Sequence, residues 1–589
     1  MKNNFLRLTN LNQYKDLSAY NNFNLGAWCD HKRESSKNNT SYIVPYHWDN
    51  RIKFNDDYKK LKKLHNKIID DLVNLLNNFH TTNKPRRYWQ LLLDPWLADY
   101  LAILFDRWEI IKTAAKLNKN FEVEFYQFTS DTCLNNFYSY PGMQGFLQQN
   151  DINQYLFQKI ILKYFSNNFH ITQSHKTYDI KFDDTTIFSK QEANFKNYIK
   201  NLYRFFVSSI FKKQIDRQKI FIIDSFLNFY NSILFNLRIK QIPIDNMIKD
   251  ESLSSNYEID VRNNLINKKI FNNNFYEFIF NEIILNLNTM FIEDYQKNIK
   301  KINDKSNHQI IIFSEQLLYN NFKSLWLANQ IQKKTKLFYV EHGGSFPKKE
   351  YKFNYHREIS DKCLTWYKAI DKQDIQIPVQ KKIYSSLSSQ NYTSNSNCSL
   401  LAYGGRKFTY SAQYLPQGFT QSQVVYNDVI NFFNTINKDI KKKFKIKTHH
   451  NLGFNEEKKF IKDLGNEIIS KSSYIDFIRK SKVIICTYPE TTFTESLASG
   501  IPTILFFKKE LFELNPQTSE LVSLMHKAKI IFYSAEEAAD HLNEVWHDLE
   551  KWWNKKETIY ARKVFFQEAA IISRSWVNLS DQEINNIFY

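Results

Sequence analysis

From His308 onward, short apolar runs and amphipathic segments take turns along the chain, and this alternation restricts the fold more than any other feature. A short β-branched run suits a strand buried on both faces. A helix between two such runs carries the chain back over the sheet, so the pattern calls for parallel sheets covered by helices. Strands are expected at 310–314, 337–341 and 363–366, with a helix at about 320–332 between the first two. After a gap the pattern resumes, with strands at 400–403, 444–448, 483–487, 503–507 and 529–533. Helices fall between these at about 422–437, 455–465, 473–480 and 491–499. The gap itself, 385–397, is polar and nearly free of core residues, hence a linker. Upstream, 219–223 reads as one more buried strand and about 273–299 as a long helix.

Before residue 215 the texture is different and reads as mainly helical. Leu61, Leu64, Ile68, Leu72, Leu75, Leu76 and Phe79 recur at spacings of three and four, the mark of one buried helical face. Asp94 then Pro95 looks like an N-cap followed by proline at the first helical position, with Leu97, Leu101, Leu104 and Trp108 continuing the period. Helices are also expected over 154–165 and 191–211. The expected organisation is a helical region at 1–215, a Rossmann-like lobe at 216–384, the linker at 385–397, a second such lobe at 398–555, and a C-terminal helical segment at 556–589 bracing the first lobe.

A chain of 589 residues exceeds one ordinary core, which agrees with several packed units. No apolar stretch reaches the roughly 18–20 residues of a membrane helix. Met1–Asn10 lacks the apolar run of a secretory signal, and the five scattered cysteines make no Cys-x-x-Cys pair, so a cytoplasmic protein is expected. The net charge of +19 is dispersed; its longest cluster is Lys441, Lys442 and Lys443 with Lys445 and Lys447. That argues against nucleic acid and for a solvated surface, with an anionic membrane surface or a phosphorylated substrate as the alternative.

Glycine is scarce, so its placement is informative. Of 11 glycines none lies between Gly145 and Gly343, and eight fall from Gly343 to Gly500. The pairs Gly343-Gly344 and Gly404-Gly405 each follow an expected strand, where glycine lets a ligand approach the backbone; two ordinary tight turns are the alternative. No Gly-x-Gly-x-x-Gly or Walker-type Gly-Lys-Ser/Thr run is present.

Three constellations carry chemistry. His342, beside its glycine pair at a strand end, is placed to take a proton from an acceptor hydroxyl; a hydrogen-bonded turn histidine is the bland alternative. Lys447, Thr448, His449 and His450 end another strand and can face a phosphate. No third ligand is spaced for a metal, so none is expected. The third runs from Val483 to Ile504: a buried strand, a hydroxyl-rich turn, a short helix, then Gly500-Ile501-Pro502 and another strand. Thr487, Thr491, Thr492 and Ser496 with the free N–H groups of the helix start suit a phosphate, and Glu490 or Glu495 can accept from ribose hydroxyls.

The Thr487-Tyr488…Glu495-Ser496-Leu497-Ala498-Ser499-Gly500-Ile501-Pro502 run resembles the donor-binding stretch of GT-B glycosyltransferases, the CDP-glycerol glycerophosphotransferases and the capsule-type Kdo transferases. Lys447-Thr448-His449 is similar to the Lys-x-His-Pro motif of these families, with His450 where the proline stands. Glu341-His342-Gly343-Gly344 is similar to the His-Gly motif of the glycerophosphotransferases, whose histidine is a candidate base. Over nearly its full length the chain resembles the LIC12162-type transferases, encoded near surface-polysaccharide genes. The residues are Leu25-Gly26-Ala27-Trp28-Cys29, Pro45-Tyr46-His47-Trp48-Asp49, Arg87-Tyr88-Trp89 and Asp94-Pro95-Trp96-Leu97.

The resemblance implies an α/β, GT-B-like pair of Rossmann-type lobes with a large, mainly helical N-terminal region. It implies transfer of a sugar from a nucleotide-activated donor, without metal or cofactor, to a glycan or lipid-linked acceptor of surface polysaccharide or lipopolysaccharide, with peripheral contact at the inner membrane. The alternatives are alditol-phosphate transfer of the CDP-glycerol type and a non-catalytic scaffold of polysaccharide assembly. The aromatic residues Trp28, Trp48, Trp89 and Trp96 are expected in a core or, more sharply, in a stacking platform for the acceptor, with His47 and Asp49 as its polar members.

Overall fold

The computed structural model describes residues 3–11, 19–30, 42–128, 149–178, 195–223, 227–244, 256–267, 273–302, 305–343, 346–378 and 397–588. They form three five-stranded sheets whose pairings are parallel throughout. The first holds β1 (Asn3–Arg7), β2 (Tyr20–Asn24), β3 (Tyr42–Ile43), β4 (Phe121–Phe128) and β5 (Phe169–Tyr178), in the order β3-β2-β1-β4-β5. The second holds β6 (Ile220–Ile222), β7 (Ile310–Ser314), β8 (Lys336–Val340), β9 (Lys362–Thr365) and β10 (Asp374–Gln376), laid side by side in sequence order. The third holds β11 (Asn397–Leu401), β12 (Phe444–Lys447), β13 (Ser481–Cys486), β14 (Thr503–Phe506) and β15 (Ile531–Phe532), in the order β12-β11-β13-β14-β15.

The third order reverses between β11 and β13. Crossovers leave there in opposite directions and open a crevice outside the strand ends, where open α/β sheets bind ligands. The second sheet has no reversal, so its loops must be brought to a site by what they face. The loops after its β7 and β8 face the crevice of the third sheet. Lys348 bridges to Leu514 and Tyr351 to Gln413, and the Asn515 N–H donates to the Pro347 carbonyl. The two Rossmann-type lobes thus meet carboxyl edge to carboxyl edge. Of the expected linker only Asn397 is described, as the first residue of β11.

The N-terminal region holds the two longest helices, Arg51–His80 and Arg86–Lys116, together with the first sheet, which the sequence reading did not anticipate. β1 and β2 are built largely from asparagine, a poor strand former, so their composition hides them. β4, Phe-Glu-Val-Glu-Phe, does alternate and is a signal that was there to be read. The Asp94-Pro95 expectation is corrected: the helix runs unbroken from Arg86, and Pro95 lies inside it. Asp94 is no cap. It is fully buried and pairs with His65 of the preceding helix at 2.9 Å. Helix Arg86–Lys116 is buried on nearly every side, as a helix at the centre of a large protein is, and its charged members are paired. Asp99 meets Lys352 at 2.9 Å and Asp106 meets Arg107 at 2.6 Å.

The C-terminal segment returns to the middle sheet. Trp576, Leu579, Ile584, Ile587 and Phe588 pack on Ile220, Ile222, Ile310, Ile312 and Phe338, covering one face of it. Trp576 Nε1 donates to the Pro378 carbonyl at 3.2 Å.

Candidate functional site

His342 follows β8 and is exposed, while the next residue, Gly343, takes φ +138°, a turn that a side chain disfavours. Gly344 lies outside the described residues. Below His342 sits Glu315, at the end of β7. Burial alone would raise the Glu315 carboxyl, but the Lys352 ammonium at 3.2 Å, the Tyr319 hydroxyl and the charge of His342 outweigh it and bring it to about 2. It is therefore a fixed negative charge next to the histidine. Glu341 behaves in the opposite way: burial pushes its carboxyl up to about 7 against the pull of Lys348 and Arg357.

Across the seam, Lys348 Nζ lies 3.9 Å from Glu490 Oε1, at the end of the β13 loop. Thr487, first after β13, is buried. Its Oγ1 accepts from the Tyr403 N–H at 2.8 Å and donates to the Leu401 carbonyl at 3.1 Å, fixing the loop after β11 to the loop after β13. The loop after β11 then turns through Gly404-Gly405. A Cβ on Gly404 would lie 2.8 Å from Nδ1 of His449, and one on Gly405 would lie 2.7 Å from the Phe454 ring. Close packing of these rings leaves no room for a side chain at either glycine. His449 stands at the crevice mouth with its proton affinity lowered, first by loss of water and further by the Arg406 charge.

Arg406 is the residue that sequence reading missed. It is 6% exposed, and its Nε and Nη1 have no hydrogen-bond partner among the described residues. Only Nη2 reaches a neighbour, the Tyr410 hydroxyl at 3.5 Å, with the guanidinium 4.6 Å above that ring. Burial would lower its proton affinity, but Tyr410, Tyr403, Glu490 and Asp99 more than compensate, so the cation is retained. A buried cation with idle donors is costly and calls for an acceptor. The one hint in the sequence was its place directly after a glycine pair at a strand end.

Not every expected donor residue turns to the crevice. Lys447 gives its ammonium to the Ser472 carbonyl. Ser496 is buried and donates to the Thr492 carbonyl at 2.7 Å, with Cys486 Sγ 3.5 Å away. Glu495 is buried beside Tyr474, whose hydroxyl pKa rises through burial and that carboxylate. Thr491 opens the helix Thr491–Ala498, and the Thr492 hydroxyl faces Tyr488. Arg406, His449 and Glu490 thus interact through their charges, with Thr491 and Thr492 next along the chain, and Lys348, on the loop that follows Glu341 and His342, meets Glu490 from across the seam.

His47 and Asp49 lie at another seam, between the first unit and the third. His47 Nε2 meets Asp106 Oδ1 at 3.1 Å, and Asp49 Oδ1 accepts from the Thr420 hydroxyl at 2.9 Å. Trp28, Trp48, Trp89 and Trp96 are all core residues. A groove of about 830 Å³ is separate again. Leu61, Phe105, Trp108 and Phe275 floor it, and Lys53, ion-paired with Asp57 and Glu109, lines its rim.

Fold and site together define an α/β protein whose two Rossmann-type lobes meet beside a crevice that holds the buried, under-partnered Arg406 guanidinium. The family model of the LIC12162 family transferases matches residues 4–584, and the chain belongs to this family. No curated protein matches the chain. A solved structure with similarity is the crystal structure of an alpha,alpha-trehalose-phosphate synthase (UDP-forming) from Burkholderia vietnamiensis, 11% identical, covering 52% of this chain and 77% of that one with a TM-score of 0.27. The sheet orders, rather than this likeness, define the fold.

Proposed function

We propose that this transferase moves a sugar from a nucleotide-activated donor to a surface-polysaccharide or lipopolysaccharide acceptor, in the manner of GT-B enzymes. The donor diphosphate lies in the β11/β13 crevice against Arg406, His449 and the N–H groups that open the helix Thr491–Ala498. Glu490 accepts from the ribose hydroxyls. His342 takes the proton of the acceptor hydroxyl as its oxygen bonds to the anomeric carbon. The bond from that carbon to the nucleotide breaks, and the departing diphosphate keeps the electron pair beside the cation of Arg406, without need of a metal ion. Glu315, ionised throughout, stabilises the imidazolium that forms.

The observation that carries this reading is the buried Arg406 guanidinium with two nitrogens idle, at a topological switch point. A thermal-shift screen against CMP-, CDP-, UDP- and GDP-linked donors tests it, and stabilisation by none of them would sink the donor site. His342→Ala is expected to keep the donor-induced shift and lose about 10²–10⁴-fold in transfer rate. Full transfer by that variant would refute the base. A CDP-alditol donor is the second reading, favoured by the His342-Gly343 turn; stabilisation by CDP-glycerol alone, with alditol phosphate in the product, would select it.

A further inference from the structure

The helix Phe195–Ile215, which leads into β6 and is kinked at Phe211, exposes a stripe of apolar residues before the kink. Tyr198 is 62% exposed, Phe205 66%, Phe206 60% and Ile210 68%, and with Leu202 they fall at spacings of four, three, one and four, on one helical face. The flank next to Ile210 is what holds the helix to the protein: Val207 packs on the core and the Tyr203 hydroxyl donates to the Pro243 carbonyl. Its neighbour, the helix Phe229–Arg238, repeats the arrangement with Tyr230, Leu234 and Leu237 exposed at spacings of four and three. The two helices touch through Phe229, whose ring meets Tyr203 edge-on at 5.6 Å and lies under Lys200 and Arg204. Single exposed apolar residues are ordinary on a protein surface, but two adjoining stripes of them are not.

Charge says what covers this face. Between Phe195 and Ile215 there is no Asp or Glu, while Lys200, Arg204, Lys212 and Lys213 are cationic, in a chain of net charge +19. Aromatic and aliphatic residues on one face of a helix whose charged residues are all cations match the boundary between anionic lipid headgroups and acyl chains. Among the described residues no helix is long and apolar enough to cross a membrane, so the contact is with the surface.

We propose that the helices Phe195–Ile215 and Phe229–Arg238 form a docking face for an anionic lipid bilayer, with Phe205, Phe206 and Ile210 entering the interface and Lys212 and Lys213 engaging lipid phosphates. The proposal requires neither donor binding nor turnover, so it stands or falls apart from the transfer reaction.

Sedimentation of the full chain with vesicles tests it. Binding is expected to phosphatidylglycerol–phosphatidylcholine vesicles, to weaken with salt, and to be at least about tenfold weaker on phosphatidylcholine alone. Phe205→Ser/Phe206→Ser/Ile210→Ser is expected to lose the binding, and Lys212→Glu/Lys213→Glu to lose its salt-sensitive part. Hydrogen exchange on the unaltered protein adds a readout independent of any variant: vesicles should protect 195–215 and 229–238. Absence of vesicle binding, or protection confined to other segments, overturns the proposal. So does a dimer of the free protein that Phe205→Ser/Phe206→Ser/Ile210→Ser dissolves, since a second copy would then be the occupant.

Discussion

A buried arginine is tolerated when its five donors are met, and at Arg406 they are not. If an anionic ligand is the missing partner, the charge is a burden on the free protein and an asset to the complex. Arg406→Met should therefore leave the ligand-free melting temperature equal or higher, because removing an unpartnered buried charge in favour of an apolar chain relieves desolvation. Donor affinity should fall about 10–100-fold, the worth of one or two charge-assisted hydrogen bonds. A variant that melts much lower yet binds donor normally would make Arg406 a structural residue. Glu341 makes a prediction of the opposite kind. Its folded pKa, about 7, lies above the ordinary 4.5. The folded state thus holds the proton more tightly, and the stability that comes with it is complete below the unfolded pKa. It is lost as pH rises towards 7. Relative to Glu341→Gln, the unaltered protein should lose on the order of 2–3 kcal/mol across that window. Parallel denaturation curves at both ends of the window would show that Glu341 is not shifted.

At the scale of elements, the switch point depends on Thr487 more than on any ligand-facing group. Its hydroxyl joins the loops after β11 and β13 by two hydrogen bonds inside a buried site. Thr487→Val keeps the shape and strands the Tyr403 N–H, so a loss of about 1–3 kcal/mol is expected in denaturant unfolding. Gly404→Ala tests the ring packing: the added methyl must move the His449 ring, and donor binding should weaken along with stability. The strands around these residues were legible because each is a short apolar run between turn residues. β7 spans the expected 310–314, and β13 and β14 fall within a residue or two of expectation. Gly404-Gly405 was legible as a special position, but the rings that pack beside it were not. A sequence shows that a Cβ is missing, not whether a ligand or a His449 ring fills the space. Lys447 and Ser496 illustrate the same limit: the motif sets their positions along the chain, and local partners, the Ser472 and Thr492 carbonyls, decide where their polar atoms turn.

At the scale of the whole molecule, the first unit is tied to the loop that carries Arg406 through a buried cation. Arg107, wholly buried on helix Arg86–Lys116, donates to the Thr409 carbonyl at 2.7 Å, to Asp106 at 2.6 Å and to Asn153 at 2.9 and 2.8 Å. Tyr46 adds a second tie, its hydroxyl 2.6 Å from the Thr409 hydroxyl. Thr409 is three residues beyond Arg406, on the same loop. None of this was legible in advance, because the partners are hundreds of residues apart and no local pattern links them. If the first unit holds that loop in place, damage to Arg107 should reach the crevice. Arg107→Met leaves the Asp106 carboxylate buried without its cation, and a loss of about 3–5 kcal/mol is expected. Asp106→Asn/Arg107→Met removes both charges and should recover part of that loss without restoring the bond to Thr409. Donor affinity should then stay weakened in the double variant although stability has partly returned, and proteolysis should open the chain within 404–420. A double variant that regains stability and donor affinity together would mean that the first unit only shelters the crevice and does not position it.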